Sequence, residues 1–379
     1  MSIFNHMPRE RIWIDANAVD AITSELDRRG VSRVVVMCSA TLNQPEAAGA
    51  AIIAALGDRV VAVFDELSEH TPLASVLAAS AFVKASDADS LIAIGGGSVI
   101  DGAKVVKAAC NAGLQSAEDF ARHSMANANA EPLPSGGLQL IAVPTTLSAA
   151  EFTCRAGYTN PLSGLKEGLH HLDLAPASVI LDPNLALNTS IRLWTSSGIR
   201  AVDHAVEGIF SPQSWLGLRS QAAGGLKLLA QGLRDSFADP SSVSARSQCQ
   251  QGVWQISDTC EQVRMGASHG LGYLLGTMGG VPHGMTSCVL LPWVAEWNAS
   301  VCPEADALVA QTLGSRTAFE GIFALIDGLG LPTRIRDLGI DKAVLDRIAD
   351  YAPKHPVVRN NPRSVFEPAA ARALLETAW

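Results

Sequence analysis

Short apolar runs alternate with helix-like stretches in the first half of the chain. Four runs are dominated by apolar, often β-branched residues: Arg33–Cys38, Arg59–Phe64, Ser90–Ile94 and Gln139–Val143. Such runs are typical of parallel strands that are buried on both faces. The stretches between them, of which Ala18–Arg29 and Leu73–Ala85 are examples, are helical candidates. The alternation predicts a doubly wound, Rossmann-like α/β domain with a parallel sheet.

The pattern changes after Asp182-Pro183. From residue 190 onward, Ala, Leu, Gln and Arg recur at helical period without strand-like alternation. We therefore predict an α/β domain over residues 1–183 and an all-helical domain over residues 184–379. Within the first domain, Asn127–Pro134 is predicted to be an exposed loop.

Composition and charge exclude several classes of protein. Of the 379 residues, 48% are hydrophobic and 17% charged, which suits folded domains with large cores. A net charge of −9 argues against nucleic acid or an anionic membrane as the main partner. The N-terminus lacks the apolar segment of a signal peptide, and no apolar run reaches the roughly 18 residues that span a bilayer. The seven scattered cysteines form no CxxC pair, so we expect reduced thiols and a cytoplasmic location.

A glycine-rich turn follows one predicted strand. In Leu91–Lys104 a buried run leads into Gly95, Gly96, Gly97 and Ser98, and then into a predicted helix. Glycines let backbone N–H groups approach an anion, and a helix N-terminus adds partial positive charge, as a dinucleotide pyrophosphate requires. The pattern is not GxGxxG, so a plain tight turn is the alternative, with Asp101 as an ordinary first-turn acid and Lys104 as a surface base.

A second polar turn, Val143–Glu151, follows another strand and contains Thr145 and Thr146. Open α/β sheets bind ligands at the carboxyl ends of their strands. The two turns together are therefore stronger evidence for a nucleotide site than either alone.

Three histidines form the candidate chemical centre. His204 lies in Gly198–Glu207, which suggests a helix opening, and His269 and His283 are fourteen positions apart. Because residues four apart share one face of a helix, a fourth ligand for the same metal ion belongs at position 200. A carboxylate is expected there, but the residue is Arg200.

With these segments assembled, the chain resembles the iron-containing (group III) alcohol dehydrogenase family over essentially its whole length. That family includes the maleylacetate reductases and shares its fold with glycerol dehydrogenase and dehydroquinate synthase. The matching motifs, in the family's order, are Gly95–Lys104, Pro144–Thr146, Gly164–Lys166, Leu181–Pro183, His204–Glu207, Pro282–Gly284 and Asn361–Arg363.

The resemblance implies an NAD(P)-binding domain, a helical domain that holds a divalent metal, and a substrate cleft between them. It also implies a homodimer. The residues that it assigns to the cofactor are Gly95, Gly96, Gly97, Ser98, Asp101, Thr145, Thr146 and Lys166. It assigns His204, His269 and His283 to the metal position.

The chain departs from the family pattern at several positions. Arg200 replaces the metal-binding aspartate, and Tyr273 replaces the second histidine of a His-x3-His pair. The threonine loop is one residue shorter than in the metal-dependent alcohol dehydrogenases, in the form found in maleylacetate reductases, which also vary at the aspartate position. The acidic residue that favours NAD over NADP is replaced around Ser39, so we expect either cofactor to be accepted.

Two mechanisms follow from the residues. In one, Fe²⁺ or Zn²⁺ held by the three imidazoles polarises a carbonyl oxygen. In the other, Arg200 clamps a substrate carboxylate or stabilises the developing alkoxide, and His269, another of the histidines or Tyr273 supplies the proton. Asp203 is expected to point about 100° away from His204 and not to compensate for the missing ligand. A plain ion pair of Arg200 with Asp203 or Glu207 is the structural alternative.

The sequence thus predicts an NAD(P)-dependent oxidoreductase that reduces a small ketone, aldehyde or oxo acid. A maleylacetate-like anion is the leading substrate. The alternatives are a metal-dependent alcohol dehydrogenase acting on simple alcohols, an NAD-using lyase or cyclase of the dehydroquinate synthase type, and a nucleotide-binding relative without activity.

Overall fold

A computed structural model of the chain describes residues 10–67, 71–162 and 166–379; the side chain of His283 is outside the described set. The chain divides into two compact units, one ending at Asn188 and the other running from Thr189 to Trp379. None of the helices in the described residues is long and apolar enough to cross a membrane.

The first unit contains a six-stranded sheet in which every recorded strand pair is parallel. Its strands, in the spatial order β1-β8-β5-β4-β2-β3, are β1 Arg11–Ile14, β2 Val34–Cys38, β3 Val60–Phe64, β4 Ser90–Gly95, β5 Gln139–Pro144 and β8 Ser178–Leu181. The remaining two, β6 Arg155–Thr159 and β7 Lys166–His170, form an antiparallel hairpin. The four strands predicted from the sequence are confirmed, whereas β1, β8 and the hairpin were not predicted.

Helices cover both faces of this sheet. They are α1 Ala18–Arg29, α2 Ala48–Leu56, α3 Leu73–Ala85, α4 Gly97–Ala112, α5 Ala117–His123 and α6 Pro183–Ala186. Because neighbouring residues of a strand point to opposite faces, Val34 and Val36 pack in one apolar cluster with α1 and α2. Val35 and Met37 pack in another with α3 and α4. The predicted doubly wound architecture is confirmed.

The second unit is all-helical, as predicted, and its backbone is described throughout. Its helices are α7 Ile191–Phe210, α8 Leu216–Ala238, α9 Val243–Gln262, α10 Ala267–Gly279, α11 His283–Ala299, α12 Pro303–Leu313, α13 Ala318–Gly328, α14 Ala343–Tyr351 and α15 Pro368–Ala378. Helix α7 begins after Ser190, whose hydroxyl accepts a hydrogen bond from the Leu193 amide. The predicted helix opening near Gly198 is therefore wrong, and His204 lies in the helix interior.

Candidate functional site

The glycine-rich turn and the threonine-rich turn are in direct contact in the first unit. A Cβ placed on Gly96 would lie 3.2 Å from Cγ2 of Thr146, and one on Gly97 would lie 2.8 Å from Oγ of Ser148. Helix α4 starts at Gly97, and its N-cap, Gly96, offers no side chain to the first amides. Uncapped amides at the start of a long helix, beside a backbone that only glycine permits, fit a dinucleotide pyrophosphate.

Lys104 fixes this arrangement from inside. Its ammonium group is completely buried and donates to Oγ1 of Thr153 at 2.9 Å, to the Arg155 carbonyl at 3.0 Å and to the Ala150 carbonyl. The alternative of a surface base is wrong, because the side chain is buried and ties α4 to the end of the threonine-rich turn and to the residues that follow it.

The other predicted cofactor residues are distributed around the same unit. Thr145 is buried directly after β5, whereas Ser98 is exposed in the first turn of α4 and Asp101, half-buried, follows it. Ser39 lies just past the end of β2, with its hydroxyl 3.0 Å from that of Thr41. Lys166 is exposed at the start of β7, where it pairs with Thr159.

In the second unit, α7 directs a stripe of charged side chains toward the starts of α10 and α11. Nη1 of Arg200 donates to Oγ of Ser287 at 3.1 Å and lies 3.6 Å from Oδ2 of Asp203. The same Asp203 oxygen accepts hydrogen bonds from the hydroxyls of Ser287 at 2.7 Å and Ser268 at 2.8 Å. The carboxylate joins Arg200 to both serines, and the contact of Arg200 with Asp203 is the ion pair that was the structural alternative.

Glu207, one turn further along α7, accepts hydrogen bonds from the start of α10. Its carboxylate accepts from the amides of Gly266 and Ser268, both at 2.7 Å, and from Nδ1 of His269 at 2.8 Å. The N-cap of α10 is Gly266, which has no side chain of its own to cap the helix. Glu207 therefore caps α10 from a neighbouring helix and orients the imidazole of His269.

The two histidines that the structure describes fully are adjacent but electrostatically different. The rings of His204 and His269 have centroids 4.7 Å apart. Burial holds the pKa of His204 well below its usual value, and the neighbouring positive charges of His269 and Arg200 lower it further. Burial and Arg200 oppose protonation of His269, but the carboxylates of Asp203 and Glu207 outweigh them and raise its pKa.

Asp203 stays ionised in this cluster. Burial alone would favour the neutral acid, but His269, Arg200 and the Ser287 hydroxyl outweigh it and lower the pKa of Asp203 to about 2. A buried carboxylate with these partners balances part of the positive charge of the cluster.

Two aromatic rings complete the surroundings. The guanidinium carbon of Arg200 is 5.4 Å from the ring centroid of Tyr273, within the range of a cation–π contact. The ring centroid of His355 lies 5.9 Å from that of Tyr273. His355 lies in a loop and is half-buried, and its contact with Tyr273 was not predicted.

The ligand atoms of Asp203, Glu207 and His269 lie within 4.8 Å of one another, the spacing of a metal site. They are, however, engaged with one another: Glu207 binds Nδ1 of His269 and two backbone amides. Among the described residues, the buried imidazole nitrogens without a hydrogen-bond partner are Nδ1 of His204, Nε2 of His269 and Nδ1 of His355, and the first two belong to this cluster. With the guanidinium of Arg200 beside them, two nitrogen donors do not fit a tightly bound dication. His283 contributes the first residue of α11, and its side chain is outside the described set.

Arg200, His269 and the contact of Arg200 with Asp203 were predicted from the sequence. The contacts that Asp203 and Glu207 make with His269 and with Ser268 and Ser287 were not predicted. One signal was available. Positions 200, 203 and 207 are separated by three and four residues, the spacing of a single helical face. The partners on α10 and α11 gave no such signal, because they are 61 to 87 residues away along the chain.

Comparison with known proteins is consistent with this geometry. A sequence profile described as iron-containing alcohol dehydrogenase matches residues 8–183, and one described as the C-terminal part of the Fe-containing alcohol dehydrogenase family matches residues 194–379. Maleylacetate reductase of Burkholderia cepacia is 31% identical over 373 residues, covering 97% of this chain and 95% of that protein. Maleylacetate reductase 1 of Rhodococcus opacus is 30% identical over 369 residues, with coverages of 97% and 94%. The crystal structure of maleylacetate reductase from Agrobacterium tumefaciens has a TM-score of 0.85 at 26% identity, covering 100% of this chain and 98% of that chain.

Proposed function

Because the chain belongs to the iron-containing alcohol dehydrogenase family and is an NAD(P)-dependent oxidoreductase, we propose that it reduces a small carbonyl compound that carries a carboxylate. A ketone of the maleylacetate type is the leading candidate, since two proteins named maleylacetate reductase are 31% and 30% identical to this chain over 97% of its length. The observation that carries the proposal is the guanidinium of Arg200 in the histidine cluster of α7 and α10.

Arg200 has hydrogen-bonding capacity to spare. Of its five N–H donors, one binds Ser287, and the side chain makes no further hydrogen bond to the described residues. The side chain is 11% exposed, so a ligand that reached it would meet a largely desolvated cation. A guanidinium in such a place binds a carboxylate through two parallel hydrogen bonds, or an alkoxide as its charge develops.

The proposed cofactor residues belong to the first unit. Gly95, Gly96, Gly97 and Ser98 would hold the pyrophosphate, and Asp101, Thr145, Thr146 and Lys166 would line the rest of the site. Ser39, just past β2, offers no carboxylate to repel a 2′-phosphate, which supports use of NADP as well as NAD. When bound, the nicotinamide supplies the hydride that adds to the carbonyl carbon.

Reduction also requires a proton at the carbonyl oxygen. We assign this role to His269 or Tyr273, which stand on the same side of α10 with their rings 6.3 Å apart. His269 has the stronger support, because its Nε2 has no partner among the described residues and two carboxylates face its other nitrogen.

A second candidate function is metal-dependent reduction or oxidation of simple carbonyls and alcohols. The unpartnered nitrogens of His204 and His269 favour it, since a metal held by these two and His283 would use both. Metal content after anaerobic loading with Fe²⁺ or Zn²⁺ and desalting separates the two functions. We expect no retained ion; about one ion per chain would favour the metal-dependent function.

The carboxylate proposal is tested with a matched pair of substrates, an oxo acid and its methyl ester. Arg200→Gln should lower kcat/KM for the acid on the order of 100-fold and for the ester far less, because only the acid loses a charge-assisted pair. Arg192→Gln, an exposed arginine on the same helix, is the control and should change neither. Equal losses for acid and ester would refute the carboxylate clamp.

A further inference from the structure

Two carboxylates face one ring nitrogen of His269, Nδ1. Nδ1 lies 2.8 Å from Oε2 of Glu207 and 3.4 Å from Oδ1 of Asp203. Both carboxylates come from α7, one turn apart, and both are buried. Because an ionised carboxylate only accepts hydrogen bonds, Nδ1 must carry a hydrogen.

Capping alone does not account for this arrangement. The amides of Gly266 and Ser268 at the start of α10 are satisfied by Glu207. Asp203 adds no bond to the backbone of α10: it accepts from two serine hydroxyls and turns its other oxygen toward Nδ1. Burying a second carboxylate is costly, so its place beside the ring calls for a role beyond stabilising the helix.

The hydrogen on Nδ1 determines which chemistry is open to the opposite ring nitrogen, Nε2. With the hydrogen held on Nδ1, Nε2 is the atom of His269 left for other chemistry, and it is buried without a hydrogen-bond partner among the described residues. An unsatisfied buried polar atom costs about 1–3 kcal/mol, and a catalytic role is one of the reasons for which such an atom is retained.

We propose that Glu207 and Asp203 are positioning residues that keep a hydrogen on Nδ1 of His269 and thereby make Nε2 the atom that exchanges a proton with the carbonyl oxygen. This inference rests on the proposed carbonyl reduction and deepens it. As hydride adds to the carbonyl carbon, two electrons enter the substrate and negative charge develops on oxygen. The Nε2–H bond of His269 breaks, its proton forms the O–H bond of the alcohol, and the neutral imidazole keeps the hydrogen on Nδ1. Solvent then returns a proton to Nε2, and alcohol oxidation follows the same steps in reverse.

Glu207→Gln tests the inference with a nearly isosteric change. With its oxygen in the place of Oε1 the amide still accepts from the Ser268 amide, but its NH₂ group then takes the place of Oε2, where the Gly266 bond is lost. There it faces Nδ1 of His269 and favours the imidazole form with hydrogen on Nε2. We expect kcat to fall on the order of 100-fold with KM for the carbonyl compound changed by less than about 3-fold, because proton transfer and not binding is impaired. ¹⁵N spectra of histidine-labelled protein, with the His269 signals assigned through His269→Asn, should report the changed tautomer.

Asp203→Asn provides the second variant, in case loss of the Glu207 cap prevents folding. It keeps acceptors for Ser268 and Ser287 and removes the charge that faces Nδ1, so we expect a smaller fall in kcat, on the order of 10-fold. Glu296→Gln, an exposed carboxylate on α11, is the control and should retain parental kinetics.

The outcomes separate this inference from the proposed function. A changed tautomer with parental kcat would overturn the positioning role, even if Arg200→Gln still discriminates acid from ester. An unchanged tautomer in both folded variants would also overturn it. A fall in kcat together with the changed tautomer would support it whichever carbonyl substrate is turned over.

Discussion

Each unit of the molecule buries one cation in its candidate site, and the two cations are satisfied differently. In the first unit, the ammonium of Lys104 is surrounded by the Thr153 hydroxyl and the carbonyls of Ala150 and Arg155, which use all of its donors. In the second unit, the guanidinium of Arg200 makes one hydrogen bond, to Ser287, and a longer contact with Asp203.

The difference indicates which cation is available for chemistry. A buried cation whose donors are all used stabilises the backbone around it and has nothing left for a ligand. A buried cation with unused N–H donors lowers the stability of the fold unless a ligand accepts hydrogen bonds from those donors. We therefore interpret Lys104 as the support of the cofactor turns and Arg200 as a group that acts on substrate.

The largest effect is expected when the charge of Arg200 is reversed. Arg200→Asp removes a positive charge beside His204 and His269 and places an oxygen donor where a metal ligand is expected. Affinity for Fe²⁺ or Zn²⁺ should rise on the order of 100-fold or more, as measured by metal content after dialysis against a chelator series.

The control for that experiment is Arg192→Asp, the same charge change at an exposed position on α7. Its metal content should equal that of the parent. If Arg200→Asp retains no more metal than Arg192→Asp, Arg200 does not stand in the place of a metal ligand, and the contrast with Lys104 loses its functional meaning.

Much of the fold was predictable from local pattern. Helices α1 and α3 have the predicted bounds, and four strands agree to within a residue. The spacing of apolar residues and the positions of glycine and proline are local features, so they can be recognised in the sequence. The hairpin β6–β7 was missed because its strands contain glycine and charged residues, and β8 because it has only four residues.

The candidate site was predictable only in part. The glycine and threonine turns are backbone features, and Arg200 stood out against the histidines on its own helix. The roles of Asp203 and Glu207 depend on which helices pack against α7, and their partners lie 59 to 84 residues further along the chain. Lys104 was misjudged for the same reason, since its acceptors Ala150, Thr153 and Arg155 are 46 to 51 residues further along the chain.

A smaller effect is expected when Lys104, the buried cation whose donors are all used, is replaced. Lys104→Met keeps most of the length of the side chain but removes the ammonium group that binds the Ala150 and Arg155 carbonyls and the Thr153 hydroxyl in a buried place. We expect the free energy of unfolding to fall by about 2–4 kcal/mol, measured by chemical denaturation, with weaker NAD(P)H binding. Lys84→Met, an exposed lysine on α3, should change stability by less than about 0.5 kcal/mol. A fully stable Lys104→Met protein would mean that this lysine does not hold the turns together.

The smallest change in stability, with a clear change in binding, is expected at Gly97. An alanine Cβ there would lie 2.8 Å from Oγ and 2.9 Å from Cβ of Ser148, so the threonine-rich turn must shift. Because alanine is favoured over glycine in a helix by up to about 1 kcal/mol, this gain offsets part of the strain and overall stability should change little. NAD(P)H affinity should still fall about 10-fold, since the backbone can no longer approach the pyrophosphate as closely.

Two further variants identify the cause of that loss. Gly328→Ala, at a position with no atom within 4 Å of the added Cβ, should bind NAD(P)H like the parent. In the double variant Gly97→Ala/Ser148→Gly the collision with the serine side chain is removed. If affinity recovers there, the displaced turn was responsible; if it does not, the added methyl group obstructs the cofactor itself. Parental affinity in Gly97→Ala alone would contradict a phosphate site at this turn, and the first unit would then hold its cofactor through other groups.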